Sequence, residues 1–267
     1  MAAPDRRAGV DRDREAVTAD PTRLRIDHST DGDVTLLEPR GVLDLGTYPH
    51  LRDTLIKSAM EQPRAVVVDL DSLRIPTEAT LSVFATVWMQ VSEWPAVPIV
   101  LVASNPDDRE WLRRQAIANV VPVLATVREA RESLDDPPPR RRAALELPCS
   151  PASAALARRF VSETCQRWEC AETLPAATTV ASELVENAVR HARSEPKLSL
   201  ELRSGTLAVA VYDDDPAPAQ LVRTGRVQSR HLGLRLVANL ARAWSCGPTW
   251  SGGKVVWAVL RIMSRIG

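Results

Sequence analysis

The sequence predicts an α/β protein of two units joined by a linker, and three observations predict it. Residues 23–134 alternate short apolar strand signals with helical spacings. The stretch 135–145 opens on Asp135-Asp136, Pro137-Pro138-Pro139 and Arg140-Arg141-Arg142, and three consecutive prolines bar both a helix and a central strand. Residues 146–267 follow a different order, with two long amphipathic helices ahead of a hairpin. At 267 residues the chain is long enough for each unit to bury its own core.

Residues 1–22 are charged, poor in apolar residues and without period, which predicts a disordered tail. In the first unit, residues 24–27 and 34–39 read as short strands around an Asp31-Gly32 turn. Residues 48–60 carry Leu51, Leu55, Ile56 and Ala59 at helical spacing, and 65–70 form a buried apolar run. A helix over 78–91 places Leu81, Phe84, Ala85, Trp88 and Val91 on one face. Strand 99–103, helix 107–115, strand 120–123 and helix 127–134 complete an α/β layer.

The second unit reads as helices at 151–168 and 176–192, then strands 197–203 and 206–212 across a Ser204-Gly205 turn. A loop over 213–228 leads to a helix at 232–243, and strands 246–250 and 255–262 close the chain around Ser251-Gly252-Gly253. This order predicts one mixed sheet covered on one face by helices.

The formal charge of zero conceals an asymmetry. Residues 23–134 hold 12 basic and 16 acidic side chains, whereas 151–267 hold 15 and 10. Neither balance gives the dominant basic surface that a whole-chain grip on nucleic acid needs. No apolar run reaches the ~18–20 residues of a membrane span, and Met1–Asp20 lacks the apolar core of a secretory signal. Cys149, Cys165, Cys170 and Cys246 show no CxxC pair, so they read as reduced thiols of a cytoplasmic protein.

The chemistry-bearing residues of the second unit begin on the helix Val180–His191, where Glu183, Asn187 and His191 recur every four residues as one polar stripe. A carboxylate one turn from a carboxamide can hold a hydroxyl beside a hydrated Mg²⁺, which takes oxygen ligands and keeps most of its waters. Asp213 follows directly on an apolar strand, where its carboxylate could accept from the amine of a base such as adenine. Gly233-Leu234 opens a helix, and helix N-termini are where phosphates settle.

Glu183-x-x-x-Asn187, Tyr212-Asp213-x-Asp215-Pro216 and Leu232-Gly233-Leu234-x-Leu236-Val237, followed by Gly253-Lys254-Val255-Val256-Trp257, together resemble the ATP-binding domain of the anti-sigma-factor serine kinases. These belong to the histidine-kinase-like ATPase superfamily with its Bergerat-type fold, and the final strand is similar to the short actinobacterial version. The resemblance covers about residues 146–262 and implies ATP and Mg²⁺ as cofactors. It implies Glu183 as the base toward the acceptor serine, Asn187 as the Mg²⁺ ligand and Asp213 as the reader of the adenine amine. Gly233 matches the last glycine of the phosphate loop, with Leu234 beside it. Arg230 and His231 stand where that family has glycines, and either could meet a phosphate directly. Asp214 replaces another glycine, and the run Asp213 to Asp215 repels a nucleotide unless it points outward. The family also implies a homodimer.

In the first unit, Gly41-Val42-Leu43-Asp44, a helix, and then the strand-loop-helix around Thr77-Glu78-Ala79-Thr80 resemble the STAS domain of anti-sigma-factor antagonists over residues 23–134. In that family the loop carries a serine phosphorylated by the partner kinase. Glu78 occupies that position and has no hydroxyl, while Thr77 and Thr80 flank it as other hydroxyls. From the residues alone, Thr77 reads as a helix cap and Glu78 as a carboxylate favoured by the helix dipole. Taken together, the resemblances imply a cytoplasmic regulator of sigma-factor partner switching. Its partners would be a sigma factor or a STAS-domain antagonist, with no nucleic acid and no membrane. The alternative is a scaffold that binds the same regulators without phosphoryl transfer.

Overall fold

The computed structural model describes residues 24–134, 139–191, 194–203, 205–219 and 232–262. The tail expected over 1–22, the prolines Pro137 and Pro138, and the expected phosphate contacts Arg230 and His231 lie outside these residues.

The first unit begins with a hairpin of β1 (Arg25–Asp31) and β2 (Val34–Val42), turned at Gly32, whose φ of +65° suits a residue without Cβ. Next come α1 (Tyr48–Met60), β3 (Ala65–Asp69) and the short β4 (Leu73–Arg74). A 3-10 turn at Glu78–Leu81 runs into α2 (Ser82–Val91). β5 (Ile99–Val102), α3 (Pro106–Arg113), β6 (Val123–Leu124) and α4 (Val127–Glu132) finish the unit. The sheet order is β1-β2-β3-β5-β6, with β4 on the end of β2 and every pairing after the hairpin parallel. β3 shows the two-residue strand period at work: Val66 and Val68 face α1 and α2, while Ala65 and Val67 face Ala130 of α4. The helix expected over 78–91 therefore starts as a 3-10 turn. The strand expected over 120–123 is displaced by a 3-10 turn at Ala116–Asn119 and is reduced to β6.

The second unit contains β7 (Arg140–Glu146), α5 (Ser153–Arg167), α6 (Leu174–His191), β8 (Lys197–Arg203) and β9 (Thr206–Asp213). It ends with α7 (Leu232–Leu240), β10 (Ala243–Pro248) and β11 (Lys254–Arg261). The sheet order is β10-β11-β9-β8-β7, and all four pairings are antiparallel, which corrects the mixed sheet expected from sequence. The expected linker is also shorter. Arg140–Leu145 belongs to the edge strand β7, because Arg140 and Arg142 flank buried Glu201 on β8 at 3.7 and 2.9 Å. A run of three arginines reads as solvated only until a buried carboxylate stands across from it.

One face of this sheet is covered by α5, α6 and α7, with Val180, Leu184 and Ala188 packed on Leu198, Val209, Val211 and Val256. The other face is covered by the first unit. Ala208, Ala210, Val255, Trp257 and Val259 are buried in one core with Leu51, Ile56, Met60, Phe84 and Trp94. Polar contacts frame that core. Gln90 Nε2 donates to the Cys246 carbonyl at 2.8 Å, Gln62 to the Tyr212 hydroxyl at 3.4 Å, and Arg242 pairs with Glu93 at 3.0 Å. Trp94 and Trp257 meet with ring centroids 5.8 Å apart. Small residues on β9 and a glycine on β10 let the helices approach: a Cβ at Gly247 would come within 3.0 Å of Ile56.

Candidate functional site

Alternation along β9 and β11 decides what reaches each side of the sheet. Ala208, Ala210 and Tyr212 turn toward the first unit, so Asp213 turns toward the helices, and Lys254, opposite it in register, does the same. Lys254 is almost fully buried, and its ammonium donates to Asp213 Oδ1 at 2.8 Å, Asp215 Oδ2 at 2.9 Å and the Asp215 carbonyl at 3.0 Å. Asp213 Oδ1 also accepts from the Asp215 amide at 3.0 Å. Asp213 Oδ2 is buried and has no hydrogen-bond partner among the described residues. Burial pushes the Asp213 carboxyl above the ordinary aspartate range, and the Lys254 hydrogen bond works against that rise. Asp215 is held below that range, first by Lys254 and then by the Ala217 amide. The three aspartates expected to repel a nucleotide are thus distributed: two share one buried ammonium, and Asp214 is exposed.

Lys254 carries no role in the sequence reading. The available signal was a lone lysine heading an otherwise apolar strand, and only the register places it across from Asp213.

On α6, Glu183 and Asn187 are half-buried and His191 is exposed. The stripe spans the site. At one end the Glu183 carboxylate presses on Gly233 so closely that a Cβ there would overlap Oε2; at the other, His191 acts electrostatically on Asp215. Asn187 lies one helical turn from each end, between the α7 N-terminus and the end of β9. Burial, reinforced by Glu186, raises the Glu183 carboxyl above its ordinary value. Leu234 is half-buried and packs into the helix-side core, so its side chain serves the fold.

These groups suit a nucleotide. Asp213 Oδ2, buried and without a partner among the described residues, is an acceptor awaiting a donor, and the glycine at the head of α7 is the residue that lets the Glu183 carboxylate pack against that helix. Asn187 offers a neutral oxygen to a hard cation, and Glu183 a base next to it.

The loop singled out in the first unit sits elsewhere. Glu78 is exposed at the start of the 3-10 turn, with Gln115 Nε2 donating to it at 3.4 Å. The Thr77 side chain makes no cap, which corrects that expectation: the first turn is 3-10, and the bond runs instead from the Thr80 hydroxyl to the Thr77 carbonyl at 2.7 Å. Thr80 is buried and also reaches the Leu43 carbonyl at 3.4 Å, tying this loop to the turn after β2. There Asp44 Oδ1 accepts from the Gly46 and Thr47 amides at 2.8 and 2.9 Å, and those bonds, the Thr47 amide first, hold its carboxyl below the ordinary range. Asp44 is therefore a turn-closing residue.

Residues 147–260 match the family model of the histidine kinase-like ATPase domain. That match falls on the second unit, so the chain joins an α/β unit built on a largely parallel sheet to a unit similar to the histidine kinase-like ATPase domain. Among solved structures, the chain is similar to an anti-sigma factor antagonist from Mycobacterium paratuberculosis at 19% identity and TM-score 0.38, covering 43% of this chain and 97% of that one. It is similar to the RsbU and RsbW domains of a Mycobacterium tuberculosis protein at 17% identity and TM-score 0.36, covering 46% and 32%. A STAS domain protein from Planctomyces limnophilus gives 21% identity and TM-score 0.34, covering 41% and 97%. No curated protein matches the chain. No helix among the described residues is long and apolar enough to cross a membrane.

Proposed function

We propose that the chain is a cytoplasmic partner-switching regulator whose C-terminal domain binds ATP·Mg²⁺ and transfers phosphate to a hydroxyl of a STAS-domain protein. The observation that carries the reading is Asp213, with Oδ1 saturated and Oδ2 buried without a partner among the described residues, on the sheet face covered by the helices that carry Glu183, Asn187 and Gly233. Bound ATP·Mg²⁺ would supply the phosphoryl group and the cation that spreads its charge. Asp213 would orient the base through its amine, Asn187 would hold the cation, and the α7 amides beside Gly233 would meet phosphate oxygens. Glu183 would take the proton of the acceptor hydroxyl at its carboxylate, a task its raised affinity for protons suits.

The N-terminal domain would serve as a binding module locked in one state. Glu78 offers one charge where a phosphoserine would offer nearly two, and it cannot be switched. Support comes from its exposure at the helix entrance and from the burial of Thr80, which leaves Thr77 as the exposed hydroxyl flanking it. Since the first unit covers the outer face of the second sheet, a homodimer would have to use another surface.

Calorimetry of the full chain with ATP and Mg²⁺ tests the site. Micromolar binding that Asn187→Ala weakens by at least about tenfold, the weight of one charge-assisted contact, supports it. Absence of binding would leave the scaffold reading. Phosphate transfer to candidate STAS-domain proteins then tests catalysis.

A further inference from the structure

We propose that Lys254 sets the base preference of this site, by keeping Asp213 a carboxylate whose Oδ2, without a partner among the described residues, is the acceptor left for a donor on the base. The proposal rests on the nucleotide reading above and adds to it the group that decides which base is read.

The three ammonium hydrogens of Lys254 are matched by three acceptors: Asp213 Oδ1 at 2.8 Å, Asp215 Oδ2 at 2.9 Å and the Asp215 carbonyl at 3.0 Å. With the Asp215 amide also on Oδ1, that oxygen is saturated. Oδ2 is the remainder, buried and without a partner among the described residues. The carboxylate is thereby divided into a structural half and a reading half.

The charge on Asp213 depends on the same lysine. Asp213 is 7% exposed, and burial favours the neutral acid. Among the described residues, the ionisable groups around it besides Lys254 are Asp215, whose charge also favours the neutral acid, and the Cys246 thiol, which burial pushes up toward the neutral form. His191 acts on Asp215 from α6. Lys254 is therefore the cation that holds Asp213 ionised among the described residues. Without it, the proton would sit on Oδ2, which lacks a donor, and the acceptor would become a donor. An ionised Oδ2 matches a 6-amino purine and repels a 6-oxo purine; a protonated Oδ2 does the reverse.

The test uses the full chain, ATP·Mg²⁺ and inosine triphosphate·Mg²⁺, which differ in that amine and carbonyl, with carboxyl ¹³C NMR of Asp213 in the absence of nucleotide. Lys254→Gln keeps a donor to Oδ1 and removes the charge; Lys254→Met removes both. The wild type is expected to prefer ATP by about 10- to 100-fold, the range of one charge-assisted hydrogen bond, and both variants to lose most of that preference. Variants that retain the full ATP preference overturn the proposal and leave the nucleotide reading standing. A wild type that binds inosine triphosphate as well as ATP overturns it too. If neither nucleotide binds the wild type, the nucleotide reading fails by itself, and the Asp213 titration judges Lys254: protonation moved to higher pH in the variants supports its role, and an unchanged titration overturns it. If neither variant folds, the wild type decides, since an Asp213 already protonated at pH 7 overturns the proposal.

Discussion

Glu183 illustrates how one environment serves both stability and chemistry at the residue scale. Burial, with Glu186 nearby, raises its carboxyl, so the folded chain holds this proton more tightly than the unfolded chain does. The stabilisation linked to that proton is complete below the unfolded value and is lost as pH rises through the folded one. At neutral pH an ionised Glu183 therefore costs the fold something. Glu183→Gln is expected to raise the melting temperature at pH 7 slightly, the partial exposure of the carboxyl limiting the gain, and to abolish the proposed phosphoryl transfer. Its stability gain should shrink toward pH 4, which thermal melts across that range would read. Asp215 has the opposite sign: its carboxyl is lowered by Lys254, so its contribution is present above the unfolded value and is lost on acidification through the folded one.

Two glycines fix how elements meet. Gly253 precedes β11, where a Cβ would overlap the Asp213 carbonyl oxygen and crowd Asp214 Cα at 2.8 Å. Neither atom can swing aside as a side-chain tip would. Gly253→Ala is expected to cost about 3 kcal/mol or more, read by chemical denaturation, because the β9–β11 register must give way. Gly233 meets the movable Glu183 carboxylate instead, so crowding there would displace that carboxylate before it disturbed the fold. The elements themselves were mostly legible in the sequence. Periodicity located the helix carrying Glu183, Asn187 and His191, and the Ser204-Gly205 turn located the β8–β9 hairpin. Propensity misjudged β7, since its arginines take their meaning from Glu201, which lies 59 residues beyond Arg142.

For the whole molecule, the sheet of the second unit stands between the first unit and the α6 face that carries Glu183. α1 and α2 touch it through their C-terminal portions, at Ile56, Met60 and Gln90. Glu78 lies roughly 20 Å back along the helical path from Gln90, counting the rise per residue. Glu183 is on the far side of the sheet, under the helix layer. A reacting hydroxyl must come within about 3–3.5 Å of its target, so position 78 is out of reach of its own chain's site. If Glu78→Ser is phosphorylated at all, incorporation should be second order in protein, measured as the initial rate over a tenfold concentration range. The shared core is testable independently. Ala210→Glu would bury an unpaired charge between the units and is expected to cost at least about 3 kcal/mol and split one thermal transition into two by calorimetry.

The sequence alone determined that the chain alternates into two α/β units, where Glu183, Asn187, Asp213 and Gly233 fall on their elements, and that position 78 lacks a hydroxyl. Those facts are local: they follow from residue type and from periods of 2 and 3.6. Only the tertiary structure decided that Lys254 bridges Asp213 and Asp215, that Arg140 and Arg142 complete a sheet, and that the first unit covers the second unit's open face. Each depends on strand register or surface shape between segments far apart in the chain, and a charge buried by such pairing cannot be told from a solvated one until its partner is in place.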